Sequence, residues 1–149
     1  MIGKQRITFL LAVAAICVLV LTGCVPGDYS VNSLAREPEA TLTYPGSTDV
    51  STHDYPGRVQ FGLDGGEVAE TGIYATTTHT QGEVIAYYSR ALAAASWDQI
   101  MDNAHSRTAT DQPAHAIQWW KTKPHLSYSL LVWTEGTLTK YRTDIRAMR

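Results

Sequence analysis

Five histidines, His53, His79, His105, His115 and His125, are the side chains of this 149-residue chain best suited to moving a proton near neutral pH or holding a metal. They are dispersed, mostly beside turns and strand starts, with Asp54 and Asp111 as candidate co-ligands. Zinc sites draw on ligands at short, recognisable spacings. No such spacing occurs, so neither a metal nor a cofactor is expected. Asp64, Glu67 and Glu70 could grip calcium, but their spacing misses the EF-hand loop and suits a turn. The chain has no H-E-x-x-H, G-x-S-x-G, P-loop or G-x-G-x-x-G. From Ser30 onward no serine is followed three residues later by lysine, which argues against the penicillin-interacting enzymes. A hydrolase would need His and acidic residues brought together by the fold alone. That is the alternative reading; the leading one is a non-enzymatic binding domain.

The aromatic residues say more. Trp119 and Trp120 are adjacent in the apolar run Ala116–Lys121, so in a strand they point to opposite faces. In the next run Leu126, Tyr128, Leu130 and Val132 share one face, and Ser127, Ser129, Leu131 and Trp133 share the other. A helix can cover one face, together with Ile117 and Trp119. The second then presents Trp120, Trp133, Leu131 and Gln118 among Ser127 and Ser129. Flat aromatics among hydroxyls and amides suit a sugar or a protein partner. The competing expectation is that residues 47–70 fold over this face and bury it.

These residues need elements to position them. Leu42 and Tyr44 alternate with threonines before Pro45-Gly46 and read as a short first strand. Arg58–Leu63 alternates too, and Asp64-Gly65-Gly66 would close it as a hairpin onto the β-branched stretch Ile73–Thr78. Thr80-Gln81-Gly82-Glu83 fits a capping box. After it Val84, Tyr87, Tyr88, Ala91, Leu92 and Ala95 recur at helical spacing. Trp97–Met101 reads as a strand, Asn103–Pro113 as a polar loop, and Ala116–Lys121, Leu126–Trp133 and Leu138–Ile145 as strands joined by short turns. The fold class expected is α+β: an antiparallel sheet of about five to six strands with one main α-helix packed on one face.

With 44% hydrophobic and 17% charged residues the chain is of globular type and sized for one domain. Its 12 basic and 14 acidic residues give no case for a nucleic-acid partner. The apolar weight is concentrated at the N-terminus. Lys4 and Arg6 precede the uncharged run Phe9–Leu21, which is signal-like and shorter than a comfortable membrane span. Residues 1–23 are therefore expected to be a signal peptide.

The run ends in Leu21-Thr22-Gly23-Cys24, which resembles the lipobox of bacterial lipoproteins. The resemblance implies a diacylglyceryl group on the Cys24 thiol and cleavage between Gly23 and Cys24. The mature chain would lie on the outer side of the cell membrane, anchored by acyl chains, typically palmitate. Cys17 leaves with the signal, so no free thiol and no disulfide remain. Without Lys4 and Arg6 the mature chain carries 10 basic and 14 acidic residues, a formal net charge of −4. Residues 24–40 read as a flexible tether, reaching ~50 Å when fully extended, and residues 41–149 as the domain. The basic excess from Lys121 onward (Lys121, Lys123, Lys140, Arg142, Arg146, Arg149) reads as a solvated strand edge. Tyr44-Pro45-Gly46, the Val84…Tyr87-Tyr88…Leu92…Trp97 pattern and the late strands ending in Tyr141 resemble small actinobacterial lipoproteins of uncharacterised function. That likeness implies a fold and an address, but no activity. Expected partners are the membrane, through Cys24, and an envelope protein or glycan.

Overall fold

The computed structural model describes residues 30–57 and 68–148; the signal segment, Cys24 and the expected strand Arg58–Leu63 lie outside them. Six strands form one sheet: β1 (Thr48–Tyr55), β2 (Glu70–Thr77), β3 (Asp98–Arg107), β4 (Pro113–Lys121), β5 (Leu126–Glu135) and β6 (Leu138–Ala147). Their order is β1-β2-β6-β5-β4-β3, and every neighbouring pair is antiparallel. A short helix α1 (Val31–Leu34), a 3-10 turn (Pro38–Thr41) and the longer helix α2 (Gln81–Ala94) complete the described elements.

Strands hold half of the described residues and α2 is the one substantial helix, so the fold is β-rich rather than α+β. Polar segments account for the difference. Thr48–Tyr55 and the second half of β3 carry no apolar alternation, yet both are strands at the two edges of the sheet. An edge strand in water has little to bury, so its sequence needs no period. Both edges are bulged: β1 between Thr48 and Ser51, β3 between Gln99 and Met101 and again between Asn103 and Ser106. Leu42 and Tyr44 do not form a strand. Phenols bind their backbone instead: Tyr88 donates to the Leu42 carbonyl at 2.8 Å, and the Tyr44 amide donates to the Tyr141 hydroxyl at 3.0 Å.

The capping box forms as its sequence indicates, with the Thr80 hydroxyl accepting from the Glu83 amide and the Glu83 carboxylate accepting from the Thr80 amide. Val84, Tyr88 and Leu92 then seat α2 on one face of the sheet, against Ile117, Trp119, Tyr128, Leu130, Val132 and Tyr141. Burial raises the Tyr88 phenol above its ordinary range, and the neighbouring Tyr128 and Tyr141 add to this. A second cover completes the core. Val31–Thr41, with residues 31–40 expected as the distal part of a flexible tether, packs over β2 and β6 with Leu34 and Ala40 buried. Glu39, also buried, holds Lys121 at 3.3 Å.

Candidate functional site

The face away from α2 is defined by ladder register. One row across it runs Gln118, Ser129, Asp144, Gly72, His53; the next runs Trp120, Ser127, Arg146, Glu70, Tyr55. Trp119 is buried at 1% and Trp120 is 44% exposed, as adjacent residues on opposite faces must differ. Leu131, Trp133 and Gln118 are half-buried, and Ser127 is buried, accepting from the Gln118 amide at 2.8 Å. The two tryptophans share this face but do not form one platform. Trp133 stands opposite Ala114, six positions along β4 from Trp120, which is ~20 Å at strand rise. Thr48–Tyr55 extends the sheet sideways instead of crossing this face.

At the β1–β2–β6 corner the fold assembles a charged cluster that local sequence spacing could not reveal. His53 donates from Nε2 to Asp144 Oδ1 at 2.6 Å, although the two lie 91 residues apart. Strand β2 lies between them, and it carries Gly72 where a side chain would block the ring. Arg142 donates from Nε to both Asp144 oxygens at 2.8 and 2.9 Å, and from its terminal nitrogens to Glu70 at 2.7 Å and to the Tyr74 hydroxyl at 2.9 Å. Arg146 stands 3.6 Å from Glu70. Burial works to raise the Asp144 pKa, but hydrogen bonds from Arg142, Glu70 and His53 outweigh it and hold the carboxyl below its usual range. Glu70 moves the other way, raised by burial and by the adjacent Asp144 charge.

His53, Glu70 and Asp144 offer atoms within 4.8 Å of one another, a spacing compatible with a metal ion. The Arg142 guanidinium already supplies the positive charge there, bonded to both carboxylates. An ion would have to break those bonds and then face Arg142 unpaired. The cluster fits a structural ion-pair set rather than a metal centre. Neither expected co-ligand joins it: Asp54 accepts from Thr71, and Asp111 pairs with Arg107. Glu70, the one described member of the acidic trio, pairs with arginine.

A second pair, His115 with Asp102, joins β4 to β3. A shallow pocket of about 370 Å³, lined by Tyr44, Pro45, Glu83, Ala86, Tyr87 and Arg90, includes neither His–Asp pair. The basic excess from Lys121 onward is not a strand edge, because β6 lies inside the sheet. Its members are largely paired: Lys121 with Glu39, Lys140 with Glu135, Arg142 with Glu70 and Asp144. No family model, curated protein or solved structure matches this chain.

Proposed function

We propose that this chain is a lipid-anchored protein of the cell envelope, held by a diacylglyceryl group on Cys24, whose domain binds a protein or cell-wall glycan instead of catalysing a reaction. The observation that carries the binding reading is Trp120, a large aromatic 44% exposed on an interior strand among polar neighbours. The ~20 Å between Trp120 and Trp133 favours an extended ligand, a glycan strand or a stretched peptide, over a compact one. The anchor reading is supported by Leu21-Thr22-Gly23-Cys24 and the charged-then-apolar run before it. Among the described residues no helix is long and apolar enough to cross a membrane.

The hydrolase alternative gains two His–carboxylate pairs but no usable base at His53. Its Nε2 is committed to Asp144, and its Nδ1 is sealed from solvent with no hydrogen-bond partner among the described residues. A general base must reach its proton within about 3 Å.

Trp120→Ala is expected to stay within ~0.5 kcal/mol of wild-type stability while weakening partner binding by ~2 kcal/mol or more. A photocrosslinker at Gln118 in intact cells reads the second effect directly. Adducts that persist unchanged in Trp120→Ala would overturn the binding face. Mass spectrometry showing an unmodified Cys24 in the membrane fraction would overturn the anchor.

A further inference from the structure

We propose that the groove between α2 and the turn at 44–47 holds a short peptide with free ends, its ammonium on Glu83 and its carboxylate on Arg90. The proposal is independent of the Cys24 anchor and of the Trp120 face.

The walls come from two elements. Glu83, Ala86, Tyr87 and Arg90 recur at helical spacing along α2, in a stripe beside the buried line of Val84, Tyr88 and Leu92. Tyr44 and Pro45 complete the shallow pocket of about 370 Å³. Their turn is held firmly. Ser47 donates from its amide to the Tyr44 carbonyl at 3.1 Å, and Gly46, at φ 79°, supplies the left-handed position that a Pro-Gly turn of type II requires. The fully buried Tyr141 binds both ends of the turn through its hydroxyl, at the Tyr44 amide and at the Ser47 hydroxyl. The Tyr44 hydroxyl is 3.0 Å from His79 Nδ1. The Tyr44 and Tyr87 rings stand 5.3 Å apart and inclined at 82°. Two half-buried aromatic planes at nearly a right angle form a corner for an aliphatic or peptide group. Walls fixed before binding lose little entropy when a ligand arrives.

The ends of the ligand follow from charge. Glu83 and Arg90 are the charged residues among the described lining, both exposed, and His79 adjoins Glu83. Glu83 Oε2 accepts from the Thr80 amide and hydroxyl, each at 2.8 Å. Its Oε1 stands 3.6 Å from His79 Nδ1, too far for a hydrogen bond. Glu83 already answers the positive end of the α2 dipole, so this end of the groove does not call for an anion. Arg90 takes no hydrogen bond or ion pair among the described residues. One groove thus offers an open carboxylate oxygen and an unspent cation. Their positions lie seven residues apart on α2, about 10 Å along the axis. The Glu83 carboxylate is drawn back toward Thr80, which widens the gap. A single amino acid carries both charges on one Cα and cannot span it. Two or three residues, at ~3.3–3.6 Å each, can.

The test titrates the full chain, isotope-labelled and in detergent micelles, with trialanine while its amide NMR signals are followed. Ala86 and Tyr87 should shift saturably in the millimolar range. Acetylating the amino end of the peptide should weaken binding about two- to five-fold, as for an exposed ion pair, and amidating its carboxyl end should do the same. Glu83→Gln keeps a residue that completes the capping box, and Arg90→Gln changes an exposed position, so both variants should fold as wild type. Acetylation should cease to matter in Glu83→Gln, and amidation should cease to matter in Arg90→Gln. Ala86 and Tyr87 signals that stay still, or that move equally for trialanine blocked at both ends, overturn the proposal. End-group effects that persist unchanged in the two variants overturn it as well.

Discussion

Gly72 shows how much one residue decides here. A Cβ at this position would lie 1.8 Å from the Thr143 carbonyl oxygen and 2.8 Å from the His53 ring. The absence of that carbon lets β2 and β6 approach and lets an imidazole pass over one strand to reach a carboxylate on the next. Gly72→Ala is therefore expected to cost at least ~1–3 kcal/mol, the usual range for overpacking, and to break the His53–Asp144 bond. Denaturant midpoints and the His53 imidazole NMR signals check both effects. An alanine variant with wild-type stability and unchanged His53 signals would contradict this account of the corner. The opposite faces of Trp119 and Trp120 were legible in the sequence, because strand alternation is a local rule. The His53–Asp144 pair was not, because nothing local relates residues 91 positions apart.

At the level of elements, legibility follows what each segment has to bury. Helix α2 announces itself through its capping box and its apolar positions, of which Val84, Tyr88 and Leu92 form the buried line. Strands β4 and β5 do so through their large residues. The edge strands β1 and β3 bury almost nothing along their length; the start of β3 reads as a strand in Trp97–Met101, but its second half reads as a polar loop, and no strand is read over Thr48–Tyr55. The segment Val31–Thr41 was illegible for another reason: it caps the core through isolated residues, Leu34, Glu39 and Ala40, with no repeat between them. That role is testable. Leu34→Ala removes a fully buried side chain and should cost ~2–5 kcal/mol. Arg36→Ala, two residues on and exposed, should stay within ~0.5 kcal/mol. Equal thermal stability in the two variants would mean that this segment does not help close the core.

For the molecule as a whole, the charged corner ties β1, β2 and β6 together and gives the protein a two-sided response to acid. Asp144 is held below its ordinary pKa. Its stabilisation is present above the unfolded value of ~3.9 and lost as pH falls through the lower folded value. Glu70 is held above its ordinary pKa. Its contribution is complete below the unfolded value of ~4.3 and lost as pH rises through the folded value. Stability should therefore rise slightly on acidification towards about pH 4 and fall below it. In urea midpoints measured across that range, Glu70→Gln should remove the rise and Asp144→Asn the fall. Profiles parallel to wild type in both variants would sink the assignment.

The strand order carries a further consequence, for the time course of synthesis. Among the described strands, β6, the last made, lies between β2 and β5 and is the only join between β1–β2 and β3–β4–β5. Until residues 138–147 emerge, the first pair is an isolated two-stranded ribbon, which is marginal in water by itself. The sheet cannot close early. For the export proposed above, late closure would keep the chain threadable until its final stretch has been delivered, and folding would then proceed around the strand that arrives last.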